Sequence, residues 1–433
     1  MNPQPHVVGP SLERRHPVSP RVWWWLMVAG FGGVLLCFAT WPQVFRFGGV
    51  NHLGAWFIDL YAILASCDAL AAGLDPYQPN PLDVFGRPHA YAHWWLGLGR
   101  LGFTRADTPM LGFLLGAAFF VAAVFALRPS RRAEWAGALA VLCSPPILLA
   151  LERANNDLVI FVLLAPVVPC FLSPRVAVRL CAVPLILAAA ALKVYPLVAL
   201  VLLLAGRDAH DTRRLGWVAV LLLAVALPDM VNDFRGYAGL VPDAVGLTTF
   251  GARNLFAAAG VTGGAARLAA LAAGGLIFAG LVWSNRLAAW KIAPGDRAAW
   301  LSFVLGALLL TGCFFAGTSY AYRWVFALWL VPLLWRLPRD PAVPREVRRW
   351  AVATVVLLVI ALWTDSTASA VMGWFSRDRA PEKIMAAADR FFLIEQPVTW
   401  ALFVCLLGFL AHFLREGVRG LFSANREATP PAR

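Results

Sequence analysis

The stretch VAVRLCAVPLILAAAALKVYPLVALVLLLAG, residues 176 to 206, runs for 31 residues with Arg179 and Lys193 as its only charges. One helical crossing of a bilayer needs about 20 apolar residues. The block therefore suits either one steeply tilted helix or a tight pair broken at Lys193-Val194-Tyr195-Pro196, where a lysine and a proline interrupt the run. The choice inverts the side of everything downstream.

Around that block the chain has 433 residues, 60% of them in the set AVILMFWYC and only 14% charged. A soluble domain is nearer half apolar and a quarter charged. A soluble enzyme, a disordered chain and a disulfide scaffold are all excluded, because none could keep so much apolar surface from water. Further apolar runs lie at 22–45, 109–127, 134–150, 158–172, 215–228, 265–283, 299–316, 324–335, 350–364 and 397–414. The fold class is an all-α polytopic membrane protein. No internal repeat suggests the paired halves of a transporter.

A net charge of +13 would suggest nucleic acid on a soluble protein. In a membrane protein it records topology, because basic residues concentrate in cytoplasmic loops. With the N-terminus inside and the 176–206 block broken into a pair, fifteen later basic residues fall on the cytoplasmic side and eight on the other. The charge bias favours the pair, about 11 to 12 crossings, and both termini in the cytoplasm. Residues 1–21 then form a cytoplasmic tail, 22–414 the transmembrane domain with a long first outer loop at 46–108, and 415–433 a second cytoplasmic tail. The seven cysteines are scattered with no CxxC pair, so neither a disulfide framework nor a zinc site is expected.

This topology places the unusual polar clusters on one outer face. Asp59 follows the first span in Trp56-Phe57-Ile58-Asp59-Leu60-Tyr61, an apolar setting where a carboxylate is costly. It reads as a helix N-cap or surface acid, or as a general base at the membrane surface. Gly73-Leu74-Asp75-Pro76-Tyr77 is a turn first and a site second. His89-Ala90-Tyr91-Ala92-His93-Trp94-Trp95 suits a sugar face or a lipid headgroup, or interfacial anchoring. The corner Glu152-Arg153-Ala154-Asn155-Asn156-Asp157 gathers ionisable and amide groups. Lys193, beside Tyr195, either snorkels or contacts a phosphate. Arg253 in Gly251-Ala252-Arg253-Asn254 and Arg323 in Ser319-Tyr320-Ala321-Tyr322-Arg323 add outward cations, with Tyr320 and Tyr322 as hydrogen-bonding partners. There is no Walker lysine motif, HExxH, GxSxG or dinucleotide fingerprint.

In this order, the motifs around Asp59, Asp75, Glu152 to Asp157, Lys193 to Pro196 and Tyr320 to Arg323 resemble the bacterial GT-C glycosyltransferases of family 87, over about residues 22–334. That family includes polyprenyl-phosphate-mannose-dependent α-1,2-mannosyltransferases and is also labelled a domain of unknown function. The resemblance implies a GT-C-like bundle in the bacterial inner membrane and a sugar, mannose favoured, carried on a polyprenyl phosphate. The acceptor would be a glycolipid or glycan hydroxyl at the extracytoplasmic face, and transfer would invert the sugar. It implies Asp59 as catalytic base. Lys193 and either Arg253 or Arg323 would stabilise the departing phosphate. Tyr195, Tyr320, Tyr322, Arg153, Asn155, Asn156, Asp157, Asp75, Tyr77 and His93 are further candidates for contacting substrate. No cofactor, nucleotide or nucleic acid is required; a divalent metal is possible but a metal-free site is favoured. Ala154 stands where a small residue such as glycine is expected. A transporter or flippase is the alternative function, and a non-catalytic binding subunit is a third. Reporter fusions after Gly206 and after Arg339 should both report cytoplasmic; an outer location for either breaks the paired-helix topology.

Overall fold

The computed structural model describes residues 20–41, 50, 56–127, 132–206, 208–241, 249–284, 286–316, 319–375 and 381–427. Most of the expected N-terminal tail, the opening of the first outer loop and the last six residues lie outside the described residues.

Every apolar run is helical where described. α1 spans Pro20–Thr40 and α2 Ile58–Ala71, with α2 inside the expected outer loop. α3 (Thr108–Leu127) precedes four short helices: α4 (Arg132–Leu142), α5 (Pro145–Arg153), α6 (Asn156–Leu164) and α7 (Val167–Leu172). α8 covers Val176–Leu192. The second half of the chain holds α9 (Ala209–Tyr237), α10 (Arg253–Ala258), α11 (Gly263–Ser284), α12 (Arg297–Ala316), α13 (Val331–Arg336), α14 (Arg345–Phe375) and α15 (Pro381–Glu427). A two-residue ladder pairs β1 (Thr249–Phe250) antiparallel with β2 (Ser319–Tyr320).

Six helices among the described residues are long and apolar enough to cross a membrane, or seven if a bent pair counts as one span. Of the remaining runs of the 11 to 12 expected, the first is the unbroken 21-residue α1 and the others are broken pieces, and proline explains most of the breaks. The run at 134–150 is cut before Pro145-Pro146, which occupy the first turn of α5. The run at 158–172 is interrupted at Pro166. Pro145–Arg153 and Asn156–Leu172 meet at 105°, so the Glu152 to Asp157 corner is an elbow between them.

The 176–206 block breaks where its sequence suggests. Lys193 is extended (φ −154°, ψ 130°), and a 3-10 helix follows over Tyr195–Ala205. A second 3-10 helix runs over Ala321–Trp329, directly after β2. These are eleven and nine residues long, whereas such helices seldom exceed three or four. The tighter coil rises about 2.0 Å per residue against about 1.5 Å for an α-helix. The eleven-residue arm thus reaches about 22 Å rather than about 16 Å, which recovers part of the span its length denies it.

In lipid, helices associate through close packing rather than through escape from water, so small residues set the contacts. The apolar stretches of 294–316 and 391–419 are 72% buried and form the centre, whereas those of 209–240 and 263–284 are 17% buried. Phe314 and Phe403 stack at 3.9 Å between centroids, and Phe250 meets both rings edge-on, joining β1 to this core. At Gly306 of α12 the carbonyl of Phe326 lies 2.8 Å from where a Cβ would stand, so glycine lets the second 3-10 helix lie against α12. Gly112 of α3 seats the Phe57 ring, which a Cβ would meet at 2.3 Å. Gly112→Ala should lower the melting temperature of the detergent-solubilised protein, as expected of about 1–3 kcal/mol of overpacking. Gly275→Ala, with nothing within 4 Å of its Cβ position, should leave it unchanged or slightly raised.

Candidate functional site

Two left-handed residues build the centre of the site. Phe57 (φ 59°) precedes α2 and donates its N–H to the Glu152 carbonyl at 2.8 Å. Ala154 (φ 44°, ψ 49°) ends α5 at the position where glycine is the usual residue, which accounts for the glycine expected there. Phe57 and Ala154 pack in one small apolar cluster with Leu60 and Leu64. The left-handed conformation costs a non-glycine residue about 1–2 kcal/mol, and such outliers gather at functional sites. Here they deliver Asp59 and Asn155 to each other.

Asn155 is the N-cap of α6, its Oδ1 accepting the N–H of Asp157 at 2.9 Å. Its Nδ2 donates to Asp59 Oδ2 at 2.6 Å, with both side chains buried. Two residues on, the Asp157 carboxylate is wholly enclosed. Its Oδ1 accepts from the Lys193 ammonium and from the Tyr195 hydroxyl at 2.9 Å. Arg323 Nε stands 3.8 Å from Oδ2, too far for a hydrogen bond but close enough for an ion pair. Lys193 and Arg323 retain 13% and 20% side-chain exposure against none for Asp157, so the cations reach toward open space and their counter-ion does not.

Aromatic faces enclose the cations. Arg323 lies over Tyr195 at 4.9 Å, Lys193 over Tyr322 at 5.8 Å and Arg153 over Tyr320 at 6.0 Å. The β1–β2 ladder holds the Tyr320 backbone opposite Thr249. Arg153 is also 4.0 Å from Glu152. Between Asn155 and Asp157, the Asn156 amide is buried with no hydrogen-bond partner on either of its atoms among the described residues. Buried polar groups without partners are rare, and each calls for an explanation.

The charges are arranged as a dipole. Asp157 carries two cations, leaving one positive charge in excess at that end, and Asp59 supplies a negative charge at the other. Lys193 and Tyr322 lie within electrostatic reach of Asp59. Such a site can accept a proton at one end and stabilise a growing negative charge at the other. Among the described residues no group of three or more His, Cys, Asp or Glu is placed to hold a metal ion.

Two solved structures resemble this chain. The chain is similar to ArnT from Cupriavidus metallidurans. The apo state shows 16% identity and a TM-score of 0.36 over 93% of this chain and 82% of that one. The state bound to undecaprenyl phosphate shows 12% identity and a TM-score of 0.38 over 95% and 82%. No family model matches the sequence, and no curated protein does.

Of the sequence-predicted residues, Asp59, Asn155, Asp157, Lys193, Tyr195, Tyr322 and Arg323 converge, with Arg153, Tyr320 and Asn156 beside them. Others lie elsewhere. Asp75 caps its own turn, its Oδ1 accepting the Tyr77 N–H at 2.9 Å. His93 is held by Asp233 of α9: its backbone N–H reaches both carboxylate oxygens at 3.0 and 3.1 Å, and Nδ1 lies 3.3 Å from Oδ1. Burial, then Asp233 and Asp75, push the Tyr77 hydroxyl up to about 12. Arg253 opens α10, where burial and then the neighbouring cation Arg267 act against its charge.

Sequence reading missed Arg87 and gave Tyr91 no role of its own. The Arg87 guanidinium grips Asp83 with Nε and Nη2 at 3.1 and 2.8 Å, and Nη2 donates to the Ile58 carbonyl at 3.1 Å, one residue before Asp59. Burial opposes the Arg87 charge, but Asp83 outweighs it and holds the guanidinium above its ordinary value. Burial, then the charge of Asp59, push the Tyr91 hydroxyl up. The alternation of Asp83, Arg87 and Tyr91 at four-residue steps was the available signal, hidden in a loop where polar residues are ordinary.

His89 anchors the same loop. Its Nε2 faces the Ala92 carbonyl at 3.2 Å, Nδ1 has no hydrogen-bond partner among the described residues, and the ring meets Tyr77 and Tyr91 edge-on. Burial lowers it from 6.5 to about 4. The unfolded chain therefore binds the extra proton first, so this contribution is full above pH about 6.5 and declines as pH falls toward about 4, by on the order of 3 kcal/mol. The melting temperature should drop between pH 7 and 5, and His89→Gln should flatten that slope; an unchanged slope assigns the acid sensitivity elsewhere.

Proposed function

We propose that this protein is a GT-C-type glycosyltransferase of the bacterial inner membrane. It moves a hexose, mannose favoured by the sequence resemblance, from a polyprenyl-phosphate donor to a hydroxyl of a glycolipid or glycan at the extracytoplasmic face. The observation that carries this reading is the dipolar site, with Asp59 at one end and Lys193 and Arg323 at the other.

The acceptor oxygen attacks the anomeric carbon while its proton passes to Asp59. The bond from that carbon to the phosphate oxygen breaks on the opposite face, so the sugar inverts. The donor is a phosphodiester with one negative charge, and the departing polyprenyl phosphate carries two. Charge therefore grows at the phosphate as the bond breaks, and cations already in place stabilise that change most. Lys193 and Arg323 are those cations. Asp157 is an acid and would repel a phosphate, so it serves as their buried counter-ion. Tyr195 holds that carboxylate, while the unpaired Asn156 amide and the hydroxyls of Tyr320 and Tyr322 are suited to sugar hydroxyls.

Asp59→Asn should insert normally yet lose about 10²- to 10⁴-fold in transfer of labelled sugar from undecaprenyl-phosphate mannose to a membrane lipid extract. Lys193→Met should mainly weaken donor use. Wild-type transfer by Asp59→Asn removes Asp59 from the mechanism. Movement of labelled donor across vesicles without any glycosylated product replaces the reading with a flippase.

A further inference from the structure

A carboxylate that takes a proton has two oxygens, and only one of them can face the substrate productively. At Asp59 the two are already distinguished. Oδ2 is occupied by Asn155 Nδ2 at 2.6 Å in a buried contact between segments 96 residues apart. Asn155 cannot easily turn its amide around, because Oδ1 is committed to the Asp157 N–H at 2.9 Å. A flipped amide would lose that cap and set a carbonyl oxygen against the carboxylate. The backbone is equally committed, since the Asn155 N–H donates to the Ala150 carbonyl at 2.9 Å just beyond left-handed Ala154.

The geometry points to Asn155 as the positioning residue of the base: it holds Asp59 Oδ2 so that Oδ1 is the oxygen presented to the acceptor hydroxyl. This inference rests on the reading of Asp59 as general base, and it moves Asn155 from contacting substrate to orienting the residue that does. Because Asn155 caps α6 and Asp157 lies in its first turn, one helix start sets both ends of the reaction. The base is fixed through the Asn155 side chain and the phosphate cations through Asp157. A shift of this turn would therefore displace proton acceptor and leaving-group site together, and separations between reacting groups must hold within about an ångström for full rate.

The test uses a substitution that separates capping from positioning. Asparagine and aspartate are about equal as N-caps, so Asn155→Asp keeps the cap of α6 while removing the donor to Asp59. It also sets a second carboxylate against the first, and the two must then share a proton. The other groups acting in this space include Arg87 and Tyr91 from the outer loop, Glu152 and Arg153 from α5, Lys193 from the break after α8, Tyr322 and Arg323 from the second 3-10 helix, and Asp157 from α6. None of them is substituted in the variant. With undecaprenyl-phosphate mannose as donor and a membrane lipid extract as acceptor, kcat should fall about 10²-fold, and the acid limb of its pH profile should rise by about one unit or more. A residue-155 side chain with no contact to the base would leave that limb where it was, and Asn155→Ser, which adds no charge, isolates the loss of orientation.

Asn155→Ser is the second variant, keeping a capping oxygen without the amide donor. It should lower kcat with the donor KM unchanged, and it decides the matter if Asn155→Asp does not fold. A wild-type pH profile in Asn155→Asp, a wild-type kcat in Asn155→Ser, or a loss confined to the donor KM overturns the inference. Full activity in Asp59→Asn instead overturns the reading beneath it, so the two failures are told apart.

Discussion

The enclosed carboxylate of Asp157 is the interaction on which the rest of the site depends. A bare carboxylate in a protein interior surrounded by lipid would be prohibitively costly, and it persists only because Lys193, Tyr195 and Arg323 converge on it. The partners come from two parts of the chain: Lys193 and Tyr195 from the break after α8, Arg323 from the second 3-10 helix. Removing one member of such a group strands the others, at a cost of about 3–5 kcal/mol. The requirement for mutual neutralisation thus ties two distant segments to the start of α6.

That tether explains the irregular backbone around it. Long 3-10 helices, left-handed Phe57 and Ala154 and the 105° elbow each cost stability alone, and all lie beside this group or lead directly from it. Where backbone leaves the α-helix inside a membrane domain it must be buried in protein or line a cavity, because lipid offers it no hydrogen bonds. Straight helices would have carried Lys193 and Asp157 along their own axes. The breaks allow the two to face each other.

A good part of the site was legible from residue chemistry. Lys193 stood out because a lysine inside an apolar run must have a reason, and the Glu152 to Asp157 corner because so many polar groups adjoin apolar helices. Asp59 and Arg323 were conspicuous on the same grounds. Arg87 and Asp233 were not. Arg87 lies in a polar loop where a cation attracts no notice, and Asp233 sits near the end of α9, where an acid reads as an ordinary flank. Their roles arise from contacts with Asp83, Ile58 and His93. The outer loop likewise read as a cap, whereas α2 within it is largely buried and packs its Phe57 entry against α3.

From the sequence alone follow the helical membrane character of the chain, the break at Lys193-Val194-Tyr195-Pro196, and which polar residues lacked an apolar reason to be there. Those properties follow from composition and from the local effects of proline and charge, which act within a few residues of chain. Folding is what pairs Asp157 with Lys193, sets the Asn155 amide against Asp59, and gives Asp75 and His93 to turn and loop contacts elsewhere. A buried charge is satisfied by whatever group the fold brings within about 3 Å, and sequence separations of 36 and 96 residues do not reveal which group that is.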